Sequence, residues 1–317
     1  MAAIVLRWPR EIAGALAKAL IRHSVANART RTLLNGLYLR LNAGQRRFAH
    51  SKFAKIFRGV SSGIQTGEWV VEFLGRKVRL PLRQESMWLD WDTAISILGH
   101  DTEVKETYAY LIRSETPPEL FIDIGANYGT HSLLFLTHGI RTMTFEPNVH
   151  CHDYFRTVCL VNGVMPRLEP VALGSESGFV DLSFPEQDTW LGSTSAPVML
   201  KIADMQNVTT WQVPRKTLDE YLPELEGHRV LMKIDVEGSE LEVLRGASMI
   251  LRKVRPLVLF ESWPDDRREG LLGFFRARDY VIAPLPWKGP GRVNWNWLDF
   301  FAGAEAINFI AVPQEVI

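Results

Sequence analysis

The stretch Phe121-Ile122-Asp123-Ile124-Gly125-Ala126-Asn127-Tyr128-Gly129 decides how this chain is read. Leu120–Ile124 is a short apolar run, and two glycines four positions apart separate it from a helical pattern that continues to about His138. Glycine at such a corner permits a tight turn and close approach of a ligand, and the helix amino end offers free N–H groups. The dinucleotide fingerprint G-x-G-x-x-G is not met, because Asn127 stands at the second glycine position. That favours a cofactor without phosphates at the turn and weakens the reading as a nicotinamide-dependent oxidoreductase.

Working outward, strand and helix patterns alternate. Arg141–Glu146 reads as the next strand, Asn148–Val161 as a helix and Arg167–Leu173 as a third strand. Residues 175–226 interrupt the alternation with short strand-like pieces. It resumes with a strand Val230–Asp235, a helix Ser239–Arg252, a strand Leu257–Glu261, a helix near Arg267–Arg278, and closing strands around Tyr280–Ala283 and Asn308–Val312. Such alternation predicts an α/β fold, a mostly parallel sheet with helices on both faces and ligands at the carboxyl ends of its strands.

Acids stand at those ends. Glu146 follows Gly125 by 21 residues, the place from which a carboxylate can hold ribose hydroxyls. Asp235 and Glu237 emerge beside Gly238, and Glu261 ends the next strand. Asp235, Glu237 and Glu261 could orient a cofactor ammonium, bind a divalent cation or remove a hydroxyl proton, or one or two of them could form structural salt bridges. His131 is a weaker candidate for the base, and His150 and His152 read as surface positions.

The formal charge is zero, 36 Lys and Arg against 36 Asp and Glu, which argues against a nucleic-acid-binding protein. The sum conceals a split. Residues 1–60 hold twelve basic residues and one acid, +11, and residues 61–317 hold 24 and 35, −11. The basic segment reads as amphipathic helices, with Leu33, Leu34, Leu37, Tyr38 and Leu41 on one stripe. Such helices can lie on an anionic membrane surface or pack on the main domain. The expected organisation is a helical extension over 1–60 and a domain over 61–317 with its core at 117–317, beginning with a β-hairpin around Gly75-Arg76. Cys151 and Cys159 fall on one helix too far apart for a disulfide, and no apolar run of 18 residues occurs. A cytoplasmic, at most peripheral, protein is expected. Ten tryptophans are many for this length. Trp287, Trp295 and Trp297, with Asn294 and Asn296, suit either a sugar ring or the covering of a sheet edge, and residues 183–198, with Trp190, read as an acceptor wall or lid.

Phe121–Gly129, Thr144-Phe145-Glu146-Pro147-Asn148, Thr217–Leu222, Lys233-Ile234-Asp235-Val236-Glu237-Gly238-Ser239-Glu240, Phe260-Glu261 and Asn308–Pro313 together resemble the FkbM-type methyltransferases over roughly residues 100–315. The resemblance implies a class I methyltransferase fold of seven strands, S-adenosylmethionine as methyl donor and O-methylation of a hydroxyl. Carried over by position, Asp123, Gly125, Ala126, Asn127 and Gly129 border the methionine part of the donor. Glu146 holds its ribose, Ala172 and Leu173 flank its adenine, and Asp235 and Glu237 face the methyl group. The acceptor it implies is a hydroxyl of a sugar, glycan or glycolipid, or of a polyketide-type product. A catalytically inactive scaffold on the same fold is the non-enzymatic alternative.

Overall fold

The computed structural model describes residues 19–20, 27–42, 44–46, 48–49, 67–82, 101–185, 192–195, 208–265, 267–290, 301 and 304–316. Trp190, Asn294, Trp295, Asn296, Trp297 and nearly all of the helix expected before residue 27 lie outside them. Two compact units meet in sequence between His100 and Asp101.

In the first unit α1 (Ala28–Leu39) packs on a hairpin of β1 (Gly67–Phe73) and β2 (Arg76–Leu82). Tyr38 carries that contact. It is buried, its ring lies 6.2 Å from that of Trp69, and its hydroxyl oxygen accepts the Glu72 N–H at 3.1 Å. Arg46 forms an ion pair with Glu72. Only part of the expected stripe turns inward, since Leu33 and Leu37 are 64% and 49% exposed.

The second unit runs α2 (Thr102–Arg113), β3 (Leu120–Ile124), α3 (Thr130–Leu136), β4 (Arg141–Phe145), α4 (Val149–Val161), β5 (Leu168–Glu169), β6 (Ala172–Leu173), β7 (Gly178–Pro185), β8 (Val208–Lys216), α5 (Leu222–Leu225), β9 (Val230–Ile234), α6 (Glu240–Arg245), α7 (Ser248–Lys253), β10 (Leu257–Glu261), α8 (Arg267–Arg276), β11 (Tyr280–Pro284) and β12 (Asn308–Pro313). Seven strands form one sheet in the order β11-β12-β10-β9-β3-β4-β5, in which β12 alone is antiparallel to its neighbours. A βαβ sheet wound in both directions from β3 places loop tips from both halves together above its centre.

The faces of β3 explain the layers. Leu120, Ile122 and Ile124 enter the main core with Val243, Leu244 and Leu251. Phe121 points to the other face, stacked at 4.0 Å on Phe135 of α3, with Tyr108 of α2 edge-on at 4.8 Å from Phe135. Asp123 follows on that face, fully buried.

Two expected elements are divided. Residues 167–173 give not one strand but β5 in the main sheet and β6 in a second sheet of order β6-β8-β7. Pro170 lies between them, and a proline has no N–H to continue a ladder. The helix expected over 239–252 breaks at Gly246, where a Cβ would stand 1.9 Å from the Gly174 carbonyl oxygen. The interruption lets the 174 turn and the helix backbone touch. Cys151 and Cys159 are both free and buried, and no described helix is long and apolar enough to cross a membrane.

Candidate active site

The glycine corner is built by close packing. Gly125 has φ +74°, and a Cβ there would lie 1.8 Å from the Asp235 carbonyl oxygen. The 235 N–H donates to the Ile124 carbonyl at 3.0 Å, so the tips of β3 and β9 are bound together. Gly129, φ +70°, begins α3 where a Cβ would fall 2.0 Å from the Phe155 ring. Both positions therefore demand glycine on conformation and on space. Asn127 between them is left-handed, φ +54°.

That conformation aims the Asn127 N–H at Glu146. Glu146 Oε2 accepts it at 2.7 Å and Oε1 accepts the Asn148 N–H, also at 2.7 Å. Burial pushes the Glu146 carboxyl up to about 7, against these two hydrogen bonds. Each oxygen keeps a lone pair for a further donor. His152 is a correction to the sequence reading. It is buried, not a surface residue, and its Nε2 donates to the Glu146 carbonyl at 2.7 Å. His150 is exposed at its backbone position, with its ring 4.8 Å from that of Trp211.

Asp123 Oδ2 accepts the Ser132 N–H at 3.0 Å and the Ser132 hydroxyl at 2.8 Å, while Oδ1 is buried without a partner. Burial raises its pKa, and the Lys233 charge and Ser132 oppose the shift. Lys233, in register with Asp123 across β3–β9, is 6% exposed and places Nζ 2.7 Å from Asp235 Oδ2. Burial works against its charge, yet Asp235 and Asp123 outweigh that and its pKa rises.

Asp235, Glu237 and Glu261 are brought together, each offering an oxygen within 4.8 Å of the others. That is close enough for one divalent cation to take all three. Burial, then the Asp235 charge, raises Glu237 to about 7. The same causes push Glu261 up, with Asp235 and Glu237 both beside it. Glu237 sits at φ +51°. Its turn is tied down from the second sheet: Ser193 Oγ donates to the Glu237 carbonyl at 2.8 Å, and Thr194 Oγ1 lies 2.9 Å from Ser239 Oγ. A small cleft opens beside this cluster, with Val104, Leu285, Asn308 and Phe309 among its walls.

Ala172 and Leu173 are buried and pair with Arg215 and Lys216 in the second sheet, so the tip of the third main-sheet strand is Glu169 instead. His131 Nδ1 is 3.0 Å from the Tyr108 hydroxyl. Burial holds that phenol well above its usual pKa, so it stays protonated. Lys105 escaped the sequence reading although Val104, Tyr108 and Leu111 mark the buried stripe in which it lies. It is 7% exposed, and burial lowers its pKa to about 8. The Trp287 ring packs on Tyr110 at 5.8 Å, and the Trp287 backbone N–H donates to Thr107 Oγ1 at 3.0 Å.

The corner, the ribose-type acid and the motif containing Asp235 are all included in a match of residues 123–282 to the methyltransferase FkbM domain. The chain belongs to the FkbM methyltransferase family. Among curated proteins it is similar to the hexuronic acid methyltransferase AglP of Haloferax volcanii, 26% identical over 155 residues, which are 47% of this chain and 58% of that protein. Among solved structures it is similar to the methyltransferase FkbM of Methylobacillus flagellatus KT, with a TM-score of 0.41 and 13% identity over 70% of this chain and 54% of the other. A SAM-dependent methyltransferase of Agrobacterium tumefaciens gives a TM-score of 0.39 and 9% identity over 78% and 70%.

The residues present fit S-adenosylmethionine. Glu146 offers a free lone pair on each oxygen toward a diol, and Asp123 offers a buried, unpartnered oxygen beside the glycine corner.

Proposed function

We propose that this enzyme transfers a methyl group from S-adenosylmethionine to a hydroxyl of a carbohydrate. The observation that carries the donor is Glu146, whose two oxygens are fixed by backbone N–H groups of the glycine loop and of the α4 cap. Family membership and a hexuronic acid methyltransferase among the relatives support the class of reaction and of acceptor.

Glu146 would hold the donor's two ribose hydroxyls, and Asp123 with residues 125–129 would border its methionine portion. Bound there, the donor supplies a sulfonium methyl that a hydroxyl oxygen takes while the sulfur keeps the bonding electrons. The protein's part is alignment and removal of the hydroxyl proton. Asp235, Glu237 and Glu261 stand where that proton leaves. Lys233 pins Asp235 by its ion pair, and Glu237, without such a pair among the described residues, is the proton acceptor, with Glu261 beside it. A divalent cation across the three carboxylates would serve the same end by withdrawing charge from the hydroxyl oxygen.

The test is calorimetry with S-adenosylhomocysteine on the full chain, followed by transfer of labelled methyl to a panel of monosaccharides. Absence of binding, with Glu146→Ala indistinguishable from wild type, would overturn the reading. We also propose that the basic helical segment holds the enzyme to an anionic lipid surface, its exposed Leu33 and Leu37 supplying apolar contact.

A further inference from the structure

Asn308 begins β12 and stands directly opposite Glu261 in the antiparallel β10–β12 pair. Residues so paired project from one face with Cβ atoms about 5 Å apart. Both line the pocket beside the carboxylate cluster, with the apolar Val104 and Leu285 among its other walls.

The orientation of the Asn308 amide follows from its partners. Nδ2 lies 3.0 Å from Glu103 Oε1 and 3.4 Å from Asp101 Oδ1. Carboxylate oxygens only accept, so the amide must turn its NH2 toward α2. The reverse orientation, often an open question for asparagine, would set its oxygen against two anions. Oδ1 therefore faces away from Asp101 and Glu103, and no described residue donates to it.

We propose that Asn308 is a specificity-determining residue of the acceptor pocket, its Oδ1 accepting a hydrogen bond from the hydroxyl adjacent to the one that is methylated, so that the enzyme selects a vicinal diol. This rests on the carbohydrate-methyltransferase reading and names the local pattern that reading leaves open. The polar wall offers the acceptors Asn308 Oδ1 and Asp235 together with Glu261, and the buried ammonium groups of Lys233, bound to Asp235, and Lys105 stand beside it. Hydroxyl donors are matched by these oxygens. The apolar wall suits the C–H face of the same ring.

The experiment uses the full chain, labelled S-adenosylmethionine, and methyl glucosiduronate with its 2-, 3- and 4-deoxy analogues. In wild type, removing the hydroxyl next to the methylated position should lower kcat/KM at least tenfold. In Asn308→Ala that same loss should shrink below twofold, with the Kd of S-adenosylhomocysteine unchanged. Glu103→Gln, which frees the amide to rotate, should raise KM for the diol severalfold with kcat held, and it answers the question should Asn308→Ala fail to fold. Equal deoxy penalties in wild type and variants would overturn the inference. So would absence of transfer to every diol by an enzyme that binds S-adenosylhomocysteine, which leaves the donor reading standing. Failure to bind S-adenosylhomocysteine at all would overturn both.

Discussion

Glu146 is buried and Glu237 half-buried, each past the end of a strand, and burial lifts both to about 7. Their surroundings then diverge. Glu146 has a backbone N–H on each oxygen, and those hydrogen bonds oppose the lift although Asp123 and Asp235 add to it. At Glu237 the neighbouring charges of Asp235 and Glu240 add to it. One carboxylate is held ready to bind, and the other is left with charge it would gladly share with a proton or a cation. Binding sites are made by completing a group's partners, and reactive sites by withholding them.

The comparison breaks most sharply at Glu237. Glu237→Gln is expected to lower kcat by about 100-fold or more, the scale of a lost general base, while the Kd for S-adenosylhomocysteine moves less than threefold. Equal losses in both measurements would erase the distinction between the two corners. Glu146→Ala should show the reverse pattern. Losing two charge-assisted hydrogen bonds, each about 1.5–3 kcal/mol, weakens S-adenosylhomocysteine by at least about 100-fold in a calorimeter. Gly125→Ala strikes the junction between the corners, because its Cβ would meet the Asp235 carbonyl at 1.8 Å. Denaturant unfolding should report a loss of about 3 kcal/mol.

The pH response of stability and of donor affinity at Glu146 should differ in sign. A folded pKa near 7, above the ordinary 4.5, means the folded protein keeps a proton that the unfolded chain has released between those values. Stability of the free enzyme therefore falls as pH rises through that window, by up to ~1.4 kcal/mol per unit for a single group. Affinity for S-adenosylhomocysteine, which needs ionised Glu146, should instead rise toward pH 7 and then level. A flat affinity profile would remove Glu146 from ribose binding. The smallest effect concerns the basic segment. Flotation with anionic vesicles should drop severalfold on deleting residues 1–60 and again on adding salt; equal flotation of both proteins would end the membrane proposal.

The sheet was readable because most of its strands are largely apolar and its glycine corner admits one geometry. The gathering of Asp235, Glu237 and Glu261 was readable too, since acids at the tips of adjacent parallel strands have nowhere else to go. What stayed hidden depends on contacts between distant segments. His152 looks like a polar helix residue until the Glu146 carbonyl is placed above it. Lys105 interrupts an apolar stripe, and nothing local reveals that Lys233 and Asp235 lie across from it. Ser193 and Thr194 sit 44 and 45 residues from their partners, in a part of the chain with no regular period.

One consequence of the strand order concerns synthesis. Among the described strands β11 pairs only with β12, and β12 fills the space between β11 and β10. While translation is between Pro284 and Asn308, the nascent sheet presents β10 as a bare edge and β11 as a strand with no neighbour. Exposed apolar edges of this kind invite pairing with other chains. The wall formed by Asn308 and Phe309 is also missing until then. A ribosome stalled in that interval would hold a glycine corner ready for the donor but an acceptor pocket still open on one side, and chaperone capture should peak there.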